Sequence, residues 1–385
     1  MYRLEIIMKY RQMGKLGIEV SAFGMGCMRF PMIKNAEGVD VVDESVSTPV
    51  IRHAIDSGVN YVDTAYVYSN QKNEMMLAHA LRDGYREKVY IATKLPTWAC
   101  NTREDMDRLL GEQLANLETD CIDFYLVHAL NKGSWEKVRD LGIREFLDKA
   151  KASGKIKYAC FSFHDGYDTF IDIIDSYDWD MCQIQMNYMD IENQATLKGM
   201  QYAGSKGIPV VIMEGLLGGK LAKAPDNVQA LYDEFPVKRS PVEWAFRWLC
   251  SQPEVATVLS GVTNMEQCED NLAIFDRCEV GCMTAEEEEL IAKVRDAYNS
   301  RTKIGCTGCR YCMPCPNDVD IPRIFSTWND LNLYGAKLKE NGRYKRIIAD
   351  NHAADKCIEC GACEGVCPQQ LPIIEKLKQA DEEMR

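Results

Sequence analysis

The sequence lacks any long hydrophobic run and any stripe of basic residues. No stretch approaches the about 20 consecutive apolar residues that cross a bilayer, so we expect no membrane-embedded form. Lys and Arg number 45 against 58 Asp and Glu, and the resulting net charge of −13 makes nucleic acid an unfavourable partner. A glycine-rich G-x-G-x-x-G fingerprint is also absent, so a bound flavin has no support in the sequence.

The first residues do not resemble an export signal. Residues 1–8, MYRLEIIM, are too short for a secretory apolar region and carry charges, and Met8 is an alternative start. We therefore expect a cytoplasmic protein in which thiols stay reduced, which argues against a disulfide framework for its 17 cysteines.

Eight of the cysteines fall in two short runs near the C-terminus, and each run is followed by proline. The runs are Cys306, Cys309, Cys312 and Cys315, then Cys357, Cys360, Cys363 and Cys367. The second has the spacing C-x2-C-x2-C-x3-C-P of bacterial two-cluster ferredoxins, in which the last cysteine of each run ligates the other cluster. The first run has one residue fewer before its last cysteine. The spacing predicts two [4Fe–4S] clusters with these eight cysteines as ligands.

Two four-cysteine zinc sites are the alternative, because zinc also accepts C-x2-C pairs. Zinc sites usually separate their two pairs by about a dozen residues or more, whereas each run here is compact. The compact spacing favours iron–sulfur clusters over zinc.

Residues 19–278 alternate short apolar runs with longer amphipathic segments. The apolar runs are Ser21–Gly26, Asn60–Asp63, Lys88–Lys94, Cys121–Val127, Lys157–Phe161, Cys182–Gln185, Pro209–Met213 and Ala256–Ser260. Strands that are apolar on both faces and joined by helices indicate a parallel sheet. Eight such units in about 260 residues predict an α/β fold, a closed (β/α)8 TIM barrel. The residues before the first strand are expected to form a small hairpin at the bottom of the barrel.

A second, mainly α-helical domain is predicted after the barrel. The polar stretch Asn299–Gly305 reads as a linker, so the predicted domains are residues 1–298 for the barrel and 299–385 for the cluster domain. The segment Ile321–Asp350, between the two cysteine runs, has helical apolar spacing. This arrangement resembles the α-helical type of dicluster ferredoxin domain.

Polar side chains stand at the ends of three consecutive predicted strands. Asp63 ends the second strand, Lys94 the third and His128 the fourth, and Tyr68 follows five residues after Asp63. Each has an ordinary structural explanation when taken alone, such as capping a turn or packing a ring. In a barrel, however, the carboxyl ends of the strands meet at one face, where catalytic groups are found.

These four residue types suit the reduction of a carbonyl group. Hydride transfer leaves negative charge on oxygen, which a proton donor within hydrogen-bond reach neutralises. Tyr68 is the predicted donor, and a Lys94 ammonium held by Asp63 is expected to lower its pKa from about 10. His128 is predicted to hydrogen-bond the carbonyl oxygen.

With D-T-A-x-x-Y, the strand-end lysine and L-x-H, residues 9–278 resemble the aldo-keto reductase superfamily. With the C-terminal cysteines, the whole chain resembles the branch of that superfamily that is fused to a ferredoxin-like domain. The resemblance implies NAD(P)H across the barrel mouth and carbonyl–alcohol interconversion without a metal. It also implies cofactor contacts from Ser162, Gln183, Gly218, Gly219, Gly261, Gln267, Asp270 and Asn271.

Two positions depart from the superfamily pattern. Met213 stands where many relatives have an aromatic residue that stacks on the nicotinamide. Gly261 and Gln267 stand where many NADPH-preferring relatives have Lys and Arg for the 2′-phosphate. Because phosphate selectivity usually needs such cations, we expect NADPH to be favoured over NADH by no more than about tenfold.

Two classes of function are compatible with the sequence. The first is an NAD(P)H-dependent oxidoreductase for a small carbonyl or alcohol, whose clusters transfer electrons to a one-electron redox partner or stabilise their domain. The second is an iron–sulfur electron-transfer protein or a flavin-assisted reductase, in which the barrel is a docking or flavin site. The intact set of four polar residues favours the first. Candidate pocket residues, which do not identify the substrate, are Phe30, Tyr66, Trp98, Phe163, Met186 and Tyr188.

Overall fold

The computed structural model describes residues 8–385 and contains a closed parallel barrel. The strands are β1 (Tyr10–Gln12), β2 (Glu19–Ser21), β3 (Phe23–Gly26), β4 (Met32–Lys34), β5 (Asp40–Val42), β6 (Tyr61–Asp63), β7 (Tyr90–Leu95), β8 (Ile122–Leu130), β9 (Ile156–Phe163), β10 (Met181–Gln185), β11 (Val210–Met213) and β12 (Val255–Gly261). Strand β3 and strands β6 to β12 pair in sequence order, and β12 closes the barrel against β3. The predicted TIM barrel is confirmed.

Helices follow the barrel strands and continue into the C-terminal region. They are α1 (Glu44–Asp56), α2 (Asn73–Ala80), α3 (Arg103–Asn116), α4 (Lys132–Asp140), α5 (Ile143–Ala152), α6 (Tyr167–Ile174), α7 (Thr196–Ser205), α8 (Asp226–Glu234), α9 (Pro241–Ser251), α10 (Met265–Phe275), α11 (Ala285–Asn299), α12 (Ile321–Leu333), α13 (Gly342–Ala349), α14 (Ala362–Gly365) and α15 (Ile373–Met384). Among residues 8–385, no helix is both long enough and apolar enough to cross a membrane.

A hairpin precedes the barrel, as the sequence predicted. Strands β1 and β2 pair antiparallel, and Met13 and Val20 of the hairpin pack with Tyr61 and Phe124 near the amino ends of the barrel strands. The predicted closing segment also included residues 1–7, which lie outside the described residues. The hairpin fills the end of the barrel opposite to the strand ends that carry the polar residues.

The described chain divides into two compact units. One comprises residues 8–218 and 242–284 and holds the barrel, and the other comprises residues 219–241 and 285–385. The core of the second unit is formed by helices α12, α13 and α15 and includes Ile324, Phe325, Trp328, Tyr344, Ile347 and Leu377. Helical structure between the cysteine runs is therefore confirmed. The predicted domain boundary between residues 298 and 299 stays a prediction.

Candidate active site and cluster sites

The ends of three consecutive strands bring the four predicted polar residues together. Lys94 Nζ, on β7, lies 2.8 Å from both carboxylate oxygens of Asp63, which ends β6. The same nitrogen lies 2.7 Å from the Thr64 carbonyl oxygen and 3.2 Å from the Tyr68 hydroxyl. The Tyr68 ring meets the His128 ring edge to face, with 6.5 Å between their centroids. The four side chains form one contiguous cluster at the carboxyl face of the barrel.

Asp63 and Lys94 form an almost fully buried ion pair. Burial is the largest single effect and lowers the pKa of Lys94, but Asp63 and Tyr68 together outweigh it, and the net pKa is raised. Burial raises the pKa of Asp63, and the ammonium opposes that rise. Because two short hydrogen bonds join the charged forms, we take the pair to be ionised at neutral pH. Lys94 therefore presents a fixed positive charge to Tyr68.

The Tyr68 hydroxyl is protonated at neutral pH. Burial raises its pKa above the ordinary value of 10.0, and the Lys94 charge offsets only part of that rise. The expected direction of the Lys94 effect is confirmed. The expected net lowering is wrong, because removing the phenolate from water is the larger effect. The hydroxyl is thus in the form that carbonyl reduction requires of a proton donor.

His128 lies where β8 becomes irregular. The pairing register of β8 with β9 shifts between Val127 and Leu130, and such bulges re-aim side chains near functional sites. The His128 ring is 5.2 Å from the ring of Trp98, which is 52% exposed. This irregular end of the strand directs the imidazole toward the mouth of the barrel rather than along the sheet.

The His128 imidazole is neutral. Burial, followed by the charges of Lys94 and His164, lowers its pKa to about 3. Its Nδ1 atom is buried and has no hydrogen-bond partner within the described residues. Because no group accepts a hydrogen bond from Nδ1, the tautomer protonated on Nε2 is favoured. A neutral Nε2–H group is a hydrogen-bond donor suited to a carbonyl oxygen.

Two buried polar residues at the start of α2 tie the strand ends together, and sequence reasoning missed both. Asn73 Oδ1 accepts a hydrogen bond from Thr64 Oγ1 at 2.7 Å, and Glu74 Oε1 accepts one from Thr93 Oγ1 at 2.6 Å. Both side chains are almost fully buried. Since Thr64 and Thr93 neighbour Asp63 and Lys94 in the chain, α2 holds the two strands in register. A buried Asn-Glu pair at a helix start was the available signal.

Ser162 and Gln183 occupy matched positions on neighbouring strands. They are register partners on β9 and β10, and both are buried. Ser162 Oγ accepts a hydrogen bond from the Ala129 backbone N–H at 2.8 Å and keeps its own hydroxyl proton to donate. Gln183 Oε1 is buried without a partner in the described part of the chain. An unpaired buried amide oxygen is costly, so this pair suits a ligand that carries an amide.

Two of the predicted phosphate-contacting glycines face one cation, Arg29, which sequence reasoning missed. A Cβ atom added to Gly261 would lie 2.9 Å from Arg29 Cγ, and one added to Gly218 would lie 3.8 Å from Arg29 Nη2. Arg29 is exposed and follows β3 at the mouth of the barrel. The missing side chain at Gly261 makes room for the arginine stem. Gly219, the next predicted contact, belongs to the second unit.

The remaining predicted cofactor contacts lie on α10 and differ in accessibility. Asn271 is buried and donates a hydrogen bond from Nδ2 to Ser260 Oγ at 2.9 Å, so it fixes the end of β12. Gln267 is exposed, and its Oε1 accepts a hydrogen bond from the Thr263 backbone N–H at 2.9 Å. Asp270 is exposed. Gln267 and Asp270 are therefore accessible to a ligand, whereas Asn271 acts on the strand.

Most of the predicted pocket residues are core residues instead. The four that are buried are Phe30, Phe163, Met186 and Tyr188. Phe163 packs against Phe170 with 5.1 Å between ring centroids. Tyr66 and Trp98 retain exposed surface. The apolar character of the buried four reflects packing at the top of the barrel, so the candidate substrate surface reduces to Tyr66 and Trp98.

The eight C-terminal cysteines line two cavities in the second unit. The first cavity is lined by Cys315 together with Cys357, Cys360 and Cys363, and Cys312 also borders it. The second is lined by Cys306, Cys309, Cys312 and Cys367. Within residues 8–385, no three His, Cys, Asp or Glu side chains converge as the ligands of a single ion do. The last cysteine of each run therefore lies with the other run, around a space larger than one ion.

Family models match most of the chain. The model of the aldo/keto reductase family matches residues 23–287, and that of a 4Fe-4S dicluster domain matches residues 305–371. Similar curated proteins include two uncharacterized oxidoreductases of Bacillus subtilis (strain 168). YqkF is 24% identical over 69% of this chain and 90% of its own length. YrpG is 26% identical over 69% of this chain and 90% of its own length.

Solved structures of low sequence identity share the fold. The holo form of the aldo-keto reductase AKR11C1 from Bacillus halodurans has a TM-score of 0.63 and 24% identity, over 75% of this chain and 96% of that one. An aldo/keto reductase from Klebsiella pneumoniae, solved with NADP and acetate, has a TM-score of 0.57 and 20% identity, over 72% of this chain and 92% of that one. With its barrel and its matched models, this chain belongs to the aldo/keto reductase family and is an oxidoreductase that carries a C-terminal 4Fe-4S dicluster domain.

Proposed function

We propose that the protein is an NAD(P)H-dependent oxidoreductase that interconverts a small carbonyl compound and its alcohol, with Tyr68 as the general acid and base. The observation that carries this proposal is the position of the Lys94 ammonium, which contacts the Asp63 carboxylate and the Tyr68 hydroxyl. A phenol beside a fixed cation can give up its proton and be stabilised as phenolate. Lys94 is almost fully buried, unlike a surface lysine, so its charge is held in place next to Tyr68.

The chain's own groups divide the work around the substrate oxygen. Tyr68 donates the proton that neutralises the oxygen, and the Lys94 charge stabilises the phenolate that remains. His128 donates a hydrogen bond from Nε2 to the same oxygen and orients the carbonyl group. Asp63 keeps Lys94 charged throughout. When bound, the nicotinamide ring supplies or accepts the hydride.

Three groups support a nicotinamide dinucleotide in this site. The unpaired Gln183 Oε1 and the Ser162 hydroxyl would hold the carboxamide, which has N–H groups to donate and a carbonyl oxygen to accept. Arg29 would contact the pyrophosphate, because it follows β3 and lies beside Gly218 and Gly261. On a chain with a net charge of −13, such a local cation favours an anionic ligand.

We further propose two [4Fe–4S] clusters in the C-terminal domain, one in each cysteine-lined cavity. The crossed placement of Cys315 and Cys367 supports this, since it matches the shared-ligand pattern of two-cluster ferredoxins. The clusters would pass single electrons to a redox partner or stabilise their domain, and reduced thiols suit the cytoplasm. Protein purified without oxygen should contain about eight irons and acid-labile sulfide. Stoichiometric zinc without sulfide would contradict the proposal.

The test of the barrel chemistry is Tyr68→Phe, which removes the hydroxyl and keeps the ring. Reduction of a panel of small aldehydes by NADH or NADPH should fall by about 10²–10⁴, as is typical of lost general acid catalysis. Fluorescence titration should give unchanged nicotinamide binding. The matched control is Tyr85→Phe, because the Tyr85 hydroxyl donates to the Asp56 carboxylate at 2.8 Å rather than contacting Lys94. Parent-level turnover by Tyr68→Phe would refute the assignment.

A further inference from the structure

His164 follows β9 at the mouth of the barrel and takes no part in the proposed proton transfer. Its backbone N–H donates to the Leu130 carbonyl oxygen at 2.9 Å, so the pairing of β9 with β8 continues through His164. The residue is exposed. Because catalytic and binding groups of a barrel of this type lie at the carboxyl ends of its strands, this imidazole is a candidate for contact with a ligand.

Alternation along β9 places the His164 side chain on the inner face of the barrel. Successive residues of a strand point to opposite faces, so every second residue shares a face. Cys160 packs in the barrel interior, and Ser162 and His164 follow it on the same face. The intervening Phe163 packs instead against Phe170 of α6, on the outside. The His164 side chain therefore faces the mouth of the barrel, one layer closer to solvent than Ser162.

His128 reaches the same mouth from the neighbouring strand. On β8, Leu126 packs in the barrel interior, and His128 is the next residue on that face. Strands β8 and β9 pair directly. The pKa of His128 is lowered by burial, then by Lys94 and then by His164, as expected of two imidazoles that share one mouth. A small substrate whose carbonyl oxygen lies at His128 thus has His164 as a neighbour.

A chain of three side chains fixes which nitrogen of His164 carries the proton. Gln185 Nε2 donates to the Asp190 carboxylate, and Gln185 Oε1 accepts from Gln194 Nε2. Gln194 Oε1 is therefore the acceptor, and it lies 3.2 Å from His164 Nδ1. Nδ1 thus carries the proton, and Nε2 of the neutral ring keeps its lone pair. Within residues 8–385, the ring makes no other hydrogen bond, so Nε2 is available to a ligand.

We propose that His164 is a specificity-determining residue, whose Nε2 accepts a hydrogen bond from a hydroxyl group next to the substrate carbonyl. This inference rests on the proposed function, because it takes the carbonyl oxygen to lie at Tyr68 and His128. His128 donates to the carbonyl oxygen while His164 accepts from the adjacent hydroxyl, so the two imidazoles recognise one acceptor and one donor. A diketone offers only acceptors and lacks the proton that this contact needs. The site therefore favours hydroxy-carbonyl compounds.

Pairs of substrates that differ in one hydroxyl group test this proposal on the full-length protein. Glycolaldehyde has a hydroxyl where propanal has a methyl group, and hydroxyacetone and butanone form a second pair. His164→Leu should lower the glycolaldehyde-to-propanal ratio of kcat/KM about 3–10-fold, the effect of one neutral hydrogen bond. Comparing the ratio of the variant with that of the parent cancels the different reactivities of the two aldehydes. The ratio of butane-2,3-dione to butanone should not fall.

Two further variants separate recognition from structure. Gln194→Met removes the acceptor that holds the His164 ring and should lower the same ratio by a smaller factor. A merely structural role of Gln194 would lower both rates together and leave their ratio unchanged. His79→Leu is the matched control, because His79 lies on α2 and its Nδ1 is 3.0 Å from the Glu44 carboxylate. It should not change the ratio, and thermal melting shows whether each variant is folded.

Either of two results would overturn this proposal while the proposed function stands. One is a substrate ratio that His164→Leu leaves unchanged in both pairs. The other is an equal loss for both members of each pair together with a matching loss of NADH affinity in fluorescence titrations, which would place His164 on the cofactor. Failure of the proposed function gives a different result, since Tyr68→Phe would then reduce these substrates at the parent rate.

Discussion

The Lys94 ammonium lies 2.8 Å from each carboxylate oxygen of Asp63, and both side chains are almost fully buried. Burying two charges costs hydration, so such a pair adds little net stability, whereas removing one partner costs about 3–5 kcal/mol. The benefit of the pair lies in the charge that it fixes beside Tyr68. An experiment on the chemistry of the site should therefore replace both residues of the pair, because replacing only one would also destabilise the fold.

The double substitution Lys94→Met with Asp63→Asn should move the pH dependence of alcohol oxidation. Oxidation needs the Tyr68 phenolate, and Lys94 is the group that lowers the Tyr68 pKa against the effect of burial. Without that charge the pKa rises further, so the rising limb of oxidation should shift to higher pH. Steady-state rates measured against pH in both directions provide the check. An unmoved limb would mean that Lys94 does not tune Tyr68.

Acid should destabilise the barrel through His128. Its pKa is about 3 in the folded protein, below the ordinary value of 6.5, because of burial. Between these two pH values His128 is protonated in the unfolded chain but stays neutral in the folded chain. The free energy of unfolding therefore decreases as pH falls from about 6.5 toward about 3. The slope approaches about 1.4 kcal/mol per pH unit for one proton.

Denaturant unfolding at pH 5 to 7 of the parent and of His128→Gln measures this effect. The parent should lose stability faster than the variant as pH falls, because glutamine does not titrate. Acid damage to the clusters is common to both proteins and cancels in the difference. Parallel curves for the two proteins would contradict the prediction.

Arg29→Gln should weaken NADH and NADPH equally. If Arg29 contacts the pyrophosphate, both dinucleotides lose the same charge-assisted hydrogen bonds, about 1.5–3 kcal/mol or roughly 10–150-fold in Kd. The NADPH to NADH ratio, expected to be within about tenfold in the parent, should not change. Arg29→Lys is the control that keeps the charge. A variant that loses only NADPH affinity would place Arg29 on the 2′-phosphate instead.

The barrel and the polar cluster were predictable because their signals are local. Each barrel strand is an apolar run, and Asp63, Lys94 and His128 each lie at or near the end of one, so the parallel topology alone brings them to one face. The hairpin of β4 and β5 was missed, although its turn has a local signal. Asn35 Oδ1 accepts hydrogen bonds from the backbone of Glu37 and Val39 at 3.1 and 2.9 Å. Its strands are exposed and short, so no apolar run marked them.

Other features depend on distances that the sequence does not contain. The raised pKa of Tyr68 follows from the depth of its burial, which no motif reveals. Arg29 is an exposed arginine whose importance appears only when β12 brings Gly261 beside it. Long-range packing, rather than local pattern, sets each of these.

Double substitutions test the crossed placement of Cys315 and Cys367. Cys315 lies with Cys357, Cys360 and Cys363, so Cys315→Ala and Cys360→Ala should both act on one cluster. That double variant should keep about four irons, the content of one cluster. Cys309 lines the other cavity, so Cys315→Ala with Cys309→Ala should lose nearly all iron. Without crossing, the two results would be exchanged, since Cys315 would then share a cluster with Cys309. Iron and sulfide content per chain, measured without oxygen, therefore decides which cluster the last cysteine of the first run serves.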